Sequence, residues 1–233
     1  KHRATLADYR GSGYDRGHMA PNADMPTKAA QFDSFSLANM VPQAPKNNQQ
    51  VWRELEEATR AIVTKQKQDV YVITGPVFAG KKLKTIGNGV IVPTAVYKAV
   101  YMPKTGAIGA YYAPNDNSLK VRIVSVCYLE EQLGINLFPQ LTEEQKRNTY
   151  RLPLTAKAVK ANQKIEYSNW DAESQCAEDV SKENLQALQR QFKFASSGST
   201  SPAAGSAMDS ATQDTIVKQL IDALLQYILQ LLK

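Results

Sequence analysis

The chain has 233 residues, of which 43% are hydrophobic and 21% charged; this supports one or two folded domains and excludes a mini-protein, a wholly disordered chain and a multi-span membrane protein. Its formal charge of +6 is uneven, because residues 1–160 carry 22 basic and 13 acidic side chains while residues 161–233 carry 6 and 9. The first two thirds would attract a polyanion, although mildly basic domains also occur in proteins that bind none. In chain order, the first conspicuous segment is Tyr14-Asp15-Arg16-Gly17-His18-Met19-Ala20-Pro21, which sets a carboxylate, a guanidinium, a flexible glycine and an imidazole side by side. Of the two histidines, His2 sits at the ragged start and reads as a solvated bystander, so His18 is the candidate for proton exchange near neutral pH. Ser36-Leu37-Ala38-Asn39-Met40-Val41-Pro42-Gln43 follows. The spacing then predicts a helix over Asn48 to Lys67, with Val51, Leu55, Ala58 and Ile62 on its buried face. Asn48, Trp52, Glu56 and Arg60, spaced by four, form a row alongside that stripe.

Strands are expected at Val70–Thr74, Gly89–Tyr101, Ile108–Tyr112 and Val121–Val126, where β-branched and aromatic residues alternate with Gly, Pro and Asn turns. Helices are expected at Cys127–Leu133, Thr142–Asn148 and Lys182–Arg190. Successive strands without intervening helices indicate an antiparallel sheet and the α+β class. Tyr97, Tyr101, Tyr111 and Tyr112 read as packing on that sheet. Gly75 to Lys82 nearly spells the phosphate loop GxxxxGK[ST], but Lys82 replaces the required hydroxyl and no helix opens after it. That segment reads instead as a lysine-bearing turn near a nucleic-acid path. The small, Ser-rich run from Ala195 to Thr212 reads as a linker. Beyond it, Ile216, Val217, Leu220, Ile221, Leu224, Ile228, Leu231 and Leu232 mark an amphipathic helix too short and polar-faced to span a bilayer. Docking on its own chain, homo-oligomer formation, and contact with a membrane surface or partner protein are the alternatives for that helix.

Cys127 and Cys176 match no zinc or haem spacing, which leaves one disulfide or two unpaired core thiols. GxSxG, HExxH and a catalytic cysteine with a second histidine are missing, so serine, zinc and cysteine hydrolases lack their minimum parts. For the row on the helix, a solvated face with Glu56 and Arg60 paired is one reading and a site for an ion and a phosphate is the other. An amide oxygen, a carboxylate and a guanidinium on one helical row can hold a hydrated cation beside a phosphate. For this to work, His18 at a strand end must face the opening turn of the helix across one gap.

Taken together, DRGHMAP, SLANMVPQ and NxxxWxxxExxxR, followed by Thr74-Gly75-Pro76, resemble the DNA/RNA non-specific endonucleases of the ββα-metal type, found among secreted bacterial nucleases and mitochondrial endonucleases. The resemblance covers roughly Tyr14 to Tyr150. It implies an α+β fold with a central antiparallel β-sheet, a ββα-metal motif and flanking helices, here as a nuclease domain over 1–195, a linker over 196–212 and the terminal helix over 213–233. It further implies His18 as general base, Asn48 as the direct ligand of Mg²⁺ (Mn²⁺ substituting), Glu56 as an orienter of the ion's waters, Arg16 and Arg60 as phosphate contacts and Asn39 as polar support. The substrates it implies are DNA and RNA, with 5′-phosphate products; the compartment is secreted or periplasmic, which favours the disulfide. Two departures stand out. Phe35 occupies a place where the family often has another asparagine, and only 14 residues precede Asp15, so upstream strands are expected to be missing or cut away. The start at Lys1, without a charged-then-apolar leader, reads as processed or truncated. A catalytically silent nucleic-acid or partner-binding module on the same fold is the alternative function; the presence of every expected catalytic residue weighs against it.

Overall fold

A computed structural model describes residues 3–178. The linker, the terminal helix, the helix expected at Lys182–Arg190 and His2 lie outside the described residues. The elements run α1 (Leu6–Tyr9), β1 (Asp15–His18), α2 (Lys28–Ser34), β2 (Met40–Gln43), α3 (Arg53–Gln66), β3 (Tyr71–Val77), β4 (Thr85–Ile86) and β5 (Val90–Ile91). They continue with β6 (Ala95–Met102), β7 (Ala107–Pro114), β8 (Arg122–Val124), α4 (Val126–Leu133), α5 (Glu143–Arg147), β9 (Asn148–Tyr150) and β10 (Tyr167–Trp170). The expected antiparallel sheet forms in the order β3-β6-β7-β8, making the described fold α+β. The run expected as one strand from Gly89 to Tyr101 breaks at Val92, Pro93 and Thr94 into β5 and β6; proline cannot donate to a ladder.

The sheet is buried on both faces, which explains its almost continuously apolar strands. On one face Val96, Val100, Met102 and Tyr111 pack against Trp52, Leu55, Ala61 and Ile62 of the long helical segment. Covering Leu55 and Ile62 contributes about 1.5–3 kcal/mol each. On the other face Ala95, Tyr97, Ala99, Ile108 and Ala110 meet Val126 and Leu129 of α4 together with Leu137 and Phe138. The tyrosines serve packing: Tyr97 and Tyr111 are buried, Tyr101 stacks on Tyr71, and Tyr112 meets Tyr128 edge-on. Period-2 alternation puts Lys98 on the same face as Val96 and Val100, under the helix.

Cys127 of α4 and Cys176 are joined in a disulfide that closes a loop of 49 residues. In chain-entropy terms this restricts the unfolded ensemble by about 4 kcal/mol. Glu130 secures the same region from beneath, accepting from the Leu137 and Ala177 amides and pairing with Lys146 at 3.1 Å.

Candidate active site

β1 and β2 form a short antiparallel ribbon in which Asp15 faces Gln43 and His18 faces Met40. The chain leaving β2 enters an opening turn wound as a π-helix over Asn47–Trp52, which runs directly into α3. Departures of this kind from α geometry are often found at functional sites. Buried amides anchor the junction. Asn115 donates to the Pro42 and Pro93 carbonyls and accepts from the Ala44 amide, while Asn47 donates to the Pro114 carbonyl. The ribbon and the helix start are thereby tied to the end of β7.

Gly17 makes the ribbon fit. A Cβ there would lie 2.6 Å from Cβ of the buried Gln43, whose Nε2 donates to Asn47 Oδ1 at 2.6 Å. Gly17→Ala should therefore displace Gln43 and destabilise the fold by about 1–3 kcal/mol. A thermal melt that matches the wild type would show that the ribbon yields without cost.

His18, Asp15, Arg16, Phe35, Asn48 and Gln49 line one cavity of about 630 Å³, together with Tyr9, Arg10, Tyr14 and Met40. The strand-end imidazole and the helix's opening turn thus share a single gap. His18 Nε2 is buried with no hydrogen-bond partner among the described residues. Leaving such an atom unpaired costs about 1–3 kcal/mol, a penalty expected at a site shaped for a ligand or water. Burial, and secondarily the Arg16 guanidinium, hold the imidazole pKa below its ordinary value of 6.5. At neutral pH the ring is therefore uncharged and able to accept a proton.

Asn48 donates its Nδ2 to Asp15 Oδ2 at 2.9 Å, and Gln49 donates to the same oxygen at 2.8 Å. Asp15 fixes the amide by its nitrogen end, so the carbonyl oxygen is the end left for a hard cation. Among the described residues no three His, Cys, Asp or Glu side chains converge as a metal cage. An ion bound through Asn48 would keep most of its water shell, a donor set that suits Mg²⁺.

Asn39 stands in a different role. Its Nδ2 donates to the Ala20 and Ser34 carbonyls and its Oδ1 accepts from the Ala20 amide, clamping the segment that follows His18. Glu56 and Arg60 do not line the His18 cavity. Arg60 pairs with Asp24 at 2.6 Å, and Glu56 shares its surroundings with Lys98, Asp24 and Arg60. Burial is the main cause that pushes Glu56 up to about 7, with Lys98 opposing it. The row expected alongside the buried stripe turns inward at Trp52, which is buried with Lys98 Nζ 5.3 Å from the centre of its ring.

Three residues make contacts through the fold that sequence spacing does not display. Asp15 was visible in the motif, but its bond to a residue 33 positions away was not. Lys98, also held by Thr74 Oγ1 at 3.2 Å, had a detectable signal: a lone cation inside an apolar strand. Phe35, a departure from the family pattern, meets His18 edge-on with ring centres 5.0 Å apart. Two residues beyond the segment from Gly75 to Lys82, Lys84 places its Nζ 4.9 Å from the ring centre of Tyr14, which lines the cavity.

Comparison with known proteins gives this geometry its context. The mitochondrial endonuclease G of Homo sapiens is 38% identical over 159 residues, covering 60% of this chain and 53% of that protein. Nuclease C1 of Cunninghamella echinulata is 37% identical over 161 residues, covering 60% of this chain and 62% of the nuclease. The chain thus spans about half the length of the endonuclease G that it matches. A solved chain from a crystal structure of an EndoG/EndoGI complex superposes with a TM-score of 0.54 at 30% identity, covering 62% of this chain and 66% of that one. Residues 1–144 match the family described as DNA/RNA non-specific endonuclease, and with more than half its length inside that match the chain belongs to this family.

Proposed function

We propose that this chain is a metal-dependent endonuclease that hydrolyses phosphodiester bonds of DNA and RNA without sugar preference. The observation that carries the reading is a neutral, unpartnered imidazole nitrogen in the same cavity as an asparagine held by its amide nitrogen. Neutral His18 takes a proton from water, a step worth about 10²–10⁴ in rate for a positioned base. The hydroxide attacks phosphorus, the bond to the 3′ oxygen breaks, that oxygen takes a proton from water, and the products carry a 5′-phosphate and a 3′-hydroxyl while His18 returns its proton to solvent. Arg16, lining the cavity, meets the phosphate with fixed positive charge. By the family resemblance Arg60 is a second phosphate contact and Glu56 an acceptor that orders water; both stand outside the His18 cavity, with Arg60 paired to Asp24, so these roles require the substrate to extend beyond the cavity toward Asp24. When bound, Mg²⁺, with Mn²⁺ as substitute, would supply charge neutralisation at the phosphate and at the departing oxygen, with Asn48 as its protein ligand. None of these side chains reads base edges, so contacts should fall on phosphate and sugar and weaken steeply with salt.

The Cys127–Cys176 disulfide supports a secreted or periplasmic setting. Incubating supercoiled plasmid and a structured RNA with the protein, in Mg²⁺ and in EDTA, tests the reading. Cleavage of both nucleic acids in Mg²⁺ alone is the expected result. Intact nucleic acid in both tubes, with binding retained, would overturn hydrolysis in favour of a silent binding module.

A further inference from the structure

Beside the cavity the surface carries two aromatic rings in water. Phe32, on α2, is 81% exposed, and Phe35, the residue capping that helix, is 58% exposed. Both are connected to the site. Phe35 lines the cavity and its ring contacts His18; Phe32 is joined to it by the bond from the Phe35 amide to the Phe32 carbonyl. Residues three and four apart on a helix are neighbours, so exposed Lys28, Phe32 and Phe35 make one row. A cation interleaved with aromatic faces is the chemistry that holds nucleic acid by phosphate contact and base stacking together. Successive phosphates along one strand of a duplex rise by only about 3.4 Å. A phosphate at His18 therefore brings its flanking nucleotides within reach of a ring 5.0 Å from the imidazole.

We propose that Phe32 and Phe35 form a stacking platform for the nucleobases that flank the scissile phosphate. The occupant is a base of the substrate itself, because Phe35 lines the cavity beside His18 and Arg16 where the scissile phosphate would sit, and the exposed Lys28 adds positive charge to the helical row that carries Phe32 and Phe35. The platform gives the otherwise backbone-reading site a preference for nucleotides that can leave their stack, as single strands and flexible pyrimidine–purine steps do. This inference rests on the endonuclease reading above.

The test uses the full chain carrying His18→Ala, so that substrate is bound and not cut. An oligonucleotide with 2-aminopurine at successive positions should lose fluorescence at one or two of them on binding. Phe32→Ala should weaken binding by about five- to 150-fold and restore that fluorescence. An oligonucleotide with the same phosphates but abasic flanking sites should bind both proteins equally. Phe35→Leu, which keeps bulk against the imidazole and leaves Phe32 in place, should also weaken binding, so that the loss does not depend on any effect of Phe32→Ala on the helix. Unquenched fluorescence, or an equal loss on the abasic strand, overturns the platform. So does a solution mass that halves in Phe32→Ala, which would make a second copy of the chain the occupant. Plasmid cleavage by the wild-type chain separates the two failures: cleavage without quenching removes only the platform, and an intact plasmid removes the endonuclease reading with it.

Discussion

His18→Ala should lower the rate of plasmid cleavage by at least about 10²–10⁴ while leaving nucleic-acid affinity within a small factor of wild type. The imidazole is the side chain whose removal takes away proton acceptance, whereas phosphate binding rests on guanidinium and ammonium groups that the substitution leaves in place. Rate and affinity must therefore separate. A comparable loss of both, accompanied by a lower melting temperature, would reduce His18 to a structural residue. The direction of its titration provides a second check. Burial and Arg16 both disfavour the imidazolium, so activity dependent on the neutral ring should persist below pH 6.5 and fall only as acid finally charges it. With only two histidines in the chain, the His18 ring signal is identified by its disappearance in His18→Ala, and its midpoint can be followed by NMR. Arg16→Ala should move that midpoint upward, because it removes the positive charge that opposes protonation. A midpoint at or above 6.5 in the wild type would contradict the lowered pKa on which the role of a neutral base rests.

How much of this was legible without coordinates depended on the range over which each signal acts. The helix over 48–67 was readable because Leu55, Ala58 and Ile62 repeat at its period, and the central sheet because β6 and β7 are long and rich in strand formers. β1 and β2 were not placed as paired strands. Each has four residues, one contains glycine and the other proline, and neither shows an alternation that could outweigh its local propensity. Their pairing depends on Gln43 filling the space beside Gly17 and on Asn115 tying Pro42 to the sheet, contacts that span up to 73 residues. α2 was missed for a related reason, since seven residues with an exposed phenylalanine present no apolar stripe. The motif residues show the same division. The resemblance, not spacing, set His18 and Arg16 beside Asn48, and all three line one cavity; the row of four did not predict that its second member would be buried or that Glu56 would share its surroundings with Lys98. Helical periodicity fixes which residues are neighbours on a surface; it does not decide what that surface faces.

Asn48→Ala should raise the concentration of Mg²⁺ or Mn²⁺ required for half-maximal cleavage by more than the roughly 10–100-fold expected for loss of an outer-shell partner. Asp15→Ala should fall within that range, because Asp15 acts by holding the Asn48 amide by its nitrogen and so keeping its oxygen for the cation. The two substitutions should not add. Once Asn48 is gone there is no amide for Asp15 to orient, so the double variant should match Asn48→Ala alone. Direct titration of Mn²⁺ by calorimetry gives the same comparison without reference to activity, and melting curves separate metal loss from unfolding. Additive losses would mean that Asp15 supports the ribbon through Gln49, to which it is also bonded, with no part in presenting the ligand. An unaltered metal titration in Asn48→Ala would remove that asparagine from the coordination shell. The cation would then have to be held elsewhere, and the cluster of Asp24, Glu56 and Arg60 would be the next place to search, since it contains the nearby carboxylates that the His18 cavity does not share.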